Sequence, residues 1–127
     1  MSVENFMKTK LTKTMDPREK ALLMARIALQ KKPLDPVLLD VQEACSFSDF
    51  FLILGGTSTR QTQALADHIK ETLAEQGIYP RGVEGQESAQ WILLDYEEVI
   101  VHIFFDPARS FYDLEGLWID APRLDLQ

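Results

Sequence analysis

The sequence predicts a single α/β domain: a mixed β-sheet of about five strands with flanking helices. Three observations carry that expectation. A chain of 127 residues, 46% apolar, can bury roughly two-thirds of its unfolded surface and so hold one core without disulfides or metals. Helix-period and strand-type segments alternate along it. One pair of strand segments is joined by only four residues, whereas a helix-length segment follows an earlier strand, so antiparallel and parallel pairing are both expected.

Residues 1–15 are polar and lysine-bearing without a sustained period, and are expected to be a flexible tail. Asp16-Pro17-Arg18-Glu19 then supplies an N-cap acceptor, a proline at the first helical position and an acid three residues after the cap. Leu22, Leu23, Ala25, Ile27 and Leu29 follow at helical spacing, and Lys31-Lys32 before Pro33 ends the helix. Val37–Val41 reads as a buried strand, and Phe50–Leu54, closed by Gly55-Gly56, as a second. Ser58 and Gln61 have capping-box spacing, Leu65, Ile69 and Leu73 fall on one helical face, and Gly77 is the expected left-handed stop. Pro80, Gly82 and Gly85 argue for a short edge strand or an irregular connection. Gln90–Leu94 and Val99–Phe105, linked through Asp95–Glu98, read as an antiparallel hairpin. Asp106-Pro107 opens a last helix by the same cap-and-proline logic, carrying Phe111, Tyr112, Leu114 and Leu117 toward Trp118. The domain therefore spans residues 16–118, and residues 119–127 are expected to be a loosely held tail.

Charge is unevenly spread. Residues 1–32 carry eight Lys/Arg against three Asp/Glu, and residues 33–127 carry five against seventeen, a net −12 within the total of −7. An acidic body repels a phosphate backbone, so direct DNA binding is not expected; a basic protein partner is its complement. One cysteine, Cys45, and two histidines, His68 and His102, offer neither a disulfide nor a structural zinc site. No apolar run approaches the ~20 residues that span a bilayer, and the N-terminus has no signal-peptide pattern. The expectation is a soluble cytoplasmic protein with no membrane partner.

Strand alternation sorts the hairpin residues into two sets. Ile92, Leu94, Val99, Val101, Ile103 and Phe105 are wholly apolar and face the core. Trp91, Leu93, Asp95, Ile100, His102 and Phe104 share the other side, which is too apolar for solvent and too polar for a plain core. Aromatic anchors ringed by polar groups are the usual composition of a protein-binding hot spot. Alternatively, the last helix folds back over this face and His102 and Asp95 hydrogen-bond internally.

Catalytic constellations are weak. The Gly55–Ser58 turn lies between a strand and a helix N-terminus, where a nucleotide phosphate can bind, and a nucleotide-binding transferase is the enzyme alternative. It lacks a P-loop lysine, and no Asp-x-Asp pair holds metal ions beside it. Ser58, Asp95 and His102 form a trio of hydrolase residue types without the nucleophile elbow.

The residues LDVQEACSFSDFFLILGGTSTRQTQALADHI (39–69), VEG (83–85) and WILLDYEEVIVHIFFDPARSFYDLEGLW (91–118) resemble the Iojap/RsfS family of ribosome silencing factors, and the likeness runs from about Ala21 to Trp118. The order W-x-L-L-D, V-x-V-H-x-F, R-x-x-Y-x-L-E-x-L-W is its most specific part. The resemblance implies a nucleotidyltransferase-like fold without catalytic carboxylates, no enzyme activity, no cofactor and no metal. It implies binding to the large ribosomal subunit through ribosomal protein L14 (uL14), steric obstruction of subunit joining, and lowered translation when nutrients are scarce. Taken with the hairpin parity, it makes Trp91, Leu93, Asp95, His102, Phe104, Tyr112 and Trp118 the candidate partner contacts, with Arg60 at the rim. The same face is also a candidate homodimer surface. Gly116 departs from the family pattern, which has a bulky or basic residue there, and is expected to loosen the last helix by ~1 kcal/mol.

Overall fold

In the computed structural model, residues 15–126 are described, so the expected tail lies outside the described residues except for Met15. The elements in chain order are α1 (Pro17–Leu29), β1 (Leu34–Asp40), β2 (Phe50–Gly56), α2 (Thr59–Glu75), β3 (Gly82–Glu84), β4 (Trp91–Asp95), β5 (Val99–Phe105), α3 (Asp106–Tyr112), α4 (Leu114–Leu117) and β6 (Arg123–Leu124). They form one mixed sheet of order β3-β4-β5-β2-β1-β6, in which β2 and β5 are parallel and the other neighbours antiparallel. The α/β class and the mixed sheet are as the sequence predicts.

Local chemistry sets the starts and stops. The Asp16 carboxylate accepts from the Arg18 N–H at 3.0 Å, and the Ser58 hydroxyl from the Gln61 N–H at 3.1 Å. The Gln61 side chain reaches back one residue further than a capping box requires, to the Thr57 N–H at 2.7 Å. Gly77 takes φ 76° after α2. The β4–β5 turn is two residues, with Tyr96 N–H bonded to Val99 O and Glu97 at φ 72°, and the Asp95 carboxylate accepts from the Glu97 N–H at 2.9 Å.

The sheet buries both faces. On one, Leu38, Phe50, Leu52, Leu54, Ile92, Leu94, Val101 and Ile103 pack beneath α1 and α2. The stripe α1 buries is Ala21, Met24, Ala25 and Ala28 together with Ile27, while Leu22 and Leu23 are only half-buried. Small side chains let the helix lie close, and its larger leucines cover the margin. On the other face, Leu39, Phe51, Ile53, Ile100 and Phe104 pack against Ala108, Leu114 and Trp118 from the C-terminal segment.

Three expectations change at that segment. The Asp106 side chain makes no capping bond; Phe105 occupies the N-cap and Asp106 already lies inside α3. The expected single helix is broken at Asp113, which takes the left-handed conformation at φ 46° and whose carboxylate accepts from the Gly116 N–H at 3.2 Å to start α4. A Cβ at Gly116 would run into that carboxylate, so this glycine makes room for a cap rather than loosening a helix. Beyond Trp118, the segment expected to be loosely held pairs as β6 with Leu38 and Leu39 of β1, and Pro122 O accepts from the Asp40 N–H at 2.8 Å.

Candidate functional site

The β4–β5 register pairs Trp91 with Phe104, Leu93 with His102 and Asp95 with Ile100. These six side chains therefore stand on one side of the sheet, as strand parity requires. The short helices α3 and α4 come back over this side and cover part of it. They are fastened by Arg109, which is nearly buried: its Nε donates to Glu115 at 2.7 Å, and its Nη atoms donate to the carbonyls of Leu34 and Asp35 at 3.1 and 2.7 Å.

The cover divides the predicted contact residues. Phe104 and His102 are buried, and neither presents surface to a partner. That corrects the expectation for these two residues; the C-terminal segment folds back over the strand centre because the rings of β2 and β5 are too apolar to stay wet. Trp91 and Leu93 are half-buried, as is Trp118, whose ring packs edge-on against Phe51 at 5.3 Å. Tyr112 is 50% exposed and its ring lies 4.9 Å from Trp91. Asp95 is committed to its own chain by the Arg81 guanidinium at 3.2 Å and by the turn. Arg60 is exposed in the first turn of α2, the helix that packs on the opposite face.

Sequence reasoning missed part of the exposed set. Phe111, Leu117 and Ile119 are 81%, 76% and 70% exposed, and none of them was among the candidate contacts. The break at Asp113 resets the helical phase, so of Phe111, Tyr112, Leu114 and Leu117 only Leu114 is buried. The signal was present: Asp113 followed three residues later by Gly116 is an N-cap spacing. Phe111 continues the aromatic series through Tyr112, 5.1 Å away, to Trp91.

At the centre, the Trp91 indole Nε1–H donates to His102 Nδ1 at 3.1 Å. An indole N–H only donates, so Nδ1 must accept and the ring proton sits on Nε2. Burial pushes the His102 pKa down to about 4, which keeps the ring neutral and this acceptor available. The imidazole stands edge-on to Phe51 at 4.9 Å and stacks with Phe104 at 6.4 Å. Beside Trp118 opens a groove of about 510 Å³ lined by Asp40, Glu43, Asp120, Leu117 and Pro122. Among the described residues none of its three carboxylates is paired with Lys or Arg.

Neither catalytic constellation that the sequence suggests is assembled among the described residues. The hydrolase trio is scattered: Ser58 caps α2, Asp95 pairs with Arg81 and His102 is bonded to Trp91. At the Gly55–Ser58 turn the Thr57 N–H is taken by Gln61 Oε1, and in the first turn of α2 the Gln61 and Thr62 N–H groups are taken by the Ser58 hydroxyl and carbonyl.

Comparison with known proteins finds relatives along most of the chain. A family model described as "Ribosomal silencing factor during starvation" matches residues 14–127. The ribosomal silencing factor RsfS of Halalkalibacterium halodurans is 39% identical over 113 residues, covering 89% of this chain and 97% of that protein. RsfS of Bacillus subtilis is 43% identical over 96 residues, 76% of this chain and 81% of the relative. A crystal structure of a protein from Chromobacterium violaceum superposes with a TM-score of 0.79 at 34% identity, covering 82% of this chain and 87% of that one.

Proposed function

The chain belongs to the ribosomal silencing factor family, and from that membership we propose that it binds the large ribosomal subunit through ribosomal protein L14 (uL14) and keeps the small subunit from joining by occupying space. The family places the chain's role in translation regulation at the ribosome. The reading within that role rests on one observation above all: an aromatic face that its own C-terminal segment covers only in part, on an acidic body.

The proposed contacts are Trp91, Leu93, Tyr112 and Trp118, joined by the exposed Phe111, Leu117 and Ile119, with Asp95–Arg81 as rim; Arg60, on the helix of the opposite face, is left out. Exposed aromatics supply area and shape, and monomeric proteins seldom leave such groups together in water without use. The acidic groove beside Trp118 supplies the electrostatic half, since a lysine or arginine from a basic partner can lie on the indole and meet the unpaired carboxylates. Naked ribosomal RNA would be repelled by the same charges, which favours a protein of the subunit over its RNA as the primary contact. Inhibition then needs no reaction: a bound domain blocks the approach of the second subunit. Among the described residues no helix is long and apolar enough to cross a membrane.

The test uses purified subunits and the full chain. Sucrose-gradient sedimentation is expected to show the protein travelling with large subunits and not with small ones, and reassociation into whole ribosomes, followed by light scattering, is expected to fall as protein is added. Co-migration with small subunits alone, or undiminished reassociation at saturating protein, would remove the proposal.

A further inference from the structure

We propose that His102 is a positioning residue of the docking face: it touches no partner, and it acts by holding the Trp91 indole at one angle. The proposal rests on the docking reading above and adds a mechanism to it. Three groups hold the Trp91 ring. Phe104 and Tyr112 lie against it at ring separations of 4.9 Å each, and His102 Nδ1 accepts its N–H at 3.1 Å. The two ring contacts permit the indole to slide and tilt, because dispersion contacts are weakly directional; the hydrogen bond alone fixes its rotation. An anchor fixed before binding loses less freedom when a partner arrives, so rigidity here converts directly into affinity.

The choice of histidine follows from its surroundings. The acceptor must sit inside a layer built from Phe51, Phe104 and Leu93, where a charged group would be costly. A neutral imidazole offers one in-plane acceptor there, although its Nε2–H is left buried without a hydrogen-bond partner. Phenylalanine would fill the same space but leave the indole N–H without its acceptor.

The experiment pairs binding with a direct view of the indole. The chain has two tryptophans, so a ¹H–¹⁵N spectrum carries two indole signals, assigned with Trp118→Phe. In the full chain, His102→Phe is expected to shift the Trp91 indole N–H signal and speed its solvent exchange, and to weaken large-subunit binding about tenfold. His102→Asn, whose side-chain oxygen reaches nearly the position of Nδ1, is expected to restore most of the binding and the slow exchange. In a Trp91→Phe background, His102→Phe is expected to cost nothing further. Full binding by His102→Phe beside weak binding by Trp91→Ala would overturn the positioning role and leave the docking face standing, as would an equal loss from His102→Phe in the Trp91→Phe background. Native-strength binding by Trp91→Ala would overturn the docking face, and this role with it. Should His102→Phe fold poorly, the Asn variant and the native indole exchange rate still decide: slow exchange supports the bond, and exchange as fast as in a free indole refutes it.

Discussion

On the side of α1 and α2, the sheet meets helices of 13 and 17 residues, and its central aliphatic side chains are fully enclosed. On the side of α3 and α4 it meets helices of seven and four residues, and the enclosure stops short: His102 and Phe104 are sealed, while Trp91, Leu93, Tyr112 and Trp118 remain partly open. The same strands build both sides. One face is covered for stability; the other keeps a sealed aromatic floor beneath an open rim, which is what a rigid docking surface needs. The difference lies in the length of the covering segment and in the break that Asp113 and Gly116 place in it.

Substitutions should therefore separate the two faces. Leu52→Ala, beneath α1 and α2, is expected to cost about 2–5 kcal/mol in urea unfolding, while the molecules that remain folded bind as before. Acid should strike the other face. The His102 ring resists protonation until about pH 4, whereas the unfolded chain accepts the proton near 6.5, so between those values the unfolded state holds more protons. Stability from this group is fully present above pH 6.5 and is lost as pH falls to 4, by about 3 kcal/mol; the loss is expected to vanish in His102→Phe when the two unfolding series are compared. Gly116→Ala should displace the Asp113 cap and cost about 1 kcal/mol, visible as faster hydrogen exchange at α4. Smallest in stability is Phe111→Ser, within about 0.5 kcal/mol by thermal melting, yet it should weaken large-subunit binding because this ring stands in water. A binding loss from Leu52→Ala without unfolding, or none from Phe111→Ser, would erase the contrast.

The fold was legible where signals were local. Asp16 and Ser58 cap their helices, Leu65, Ile69 and Leu73 lie on the buried stripe of α2, and parity placed six hairpin residues on one side. What stayed hidden depended on distant partners. The pairing of β6 with β1 rests on two residues, too few for a pattern. The burial of His102 and Phe104 depends on where α3 returns, and the exposure of Phe111 and Leu117 on a single left-handed residue that shifts the helical phase. Alternation identified which side chains share a face but carried no information about how far another segment would cover it.

On the proposed function, the half-open aromatic face carries the chain onto the large subunit. Pelleting Trp91→Ala, with folding checked by circular dichroism, against a titration of purified large subunits tests it directly. The predicted result is a loss of about 2 kcal/mol, roughly 30-fold in affinity, with the circular dichroism spectrum unchanged. Binding of the folded variant at native strength would contradict it.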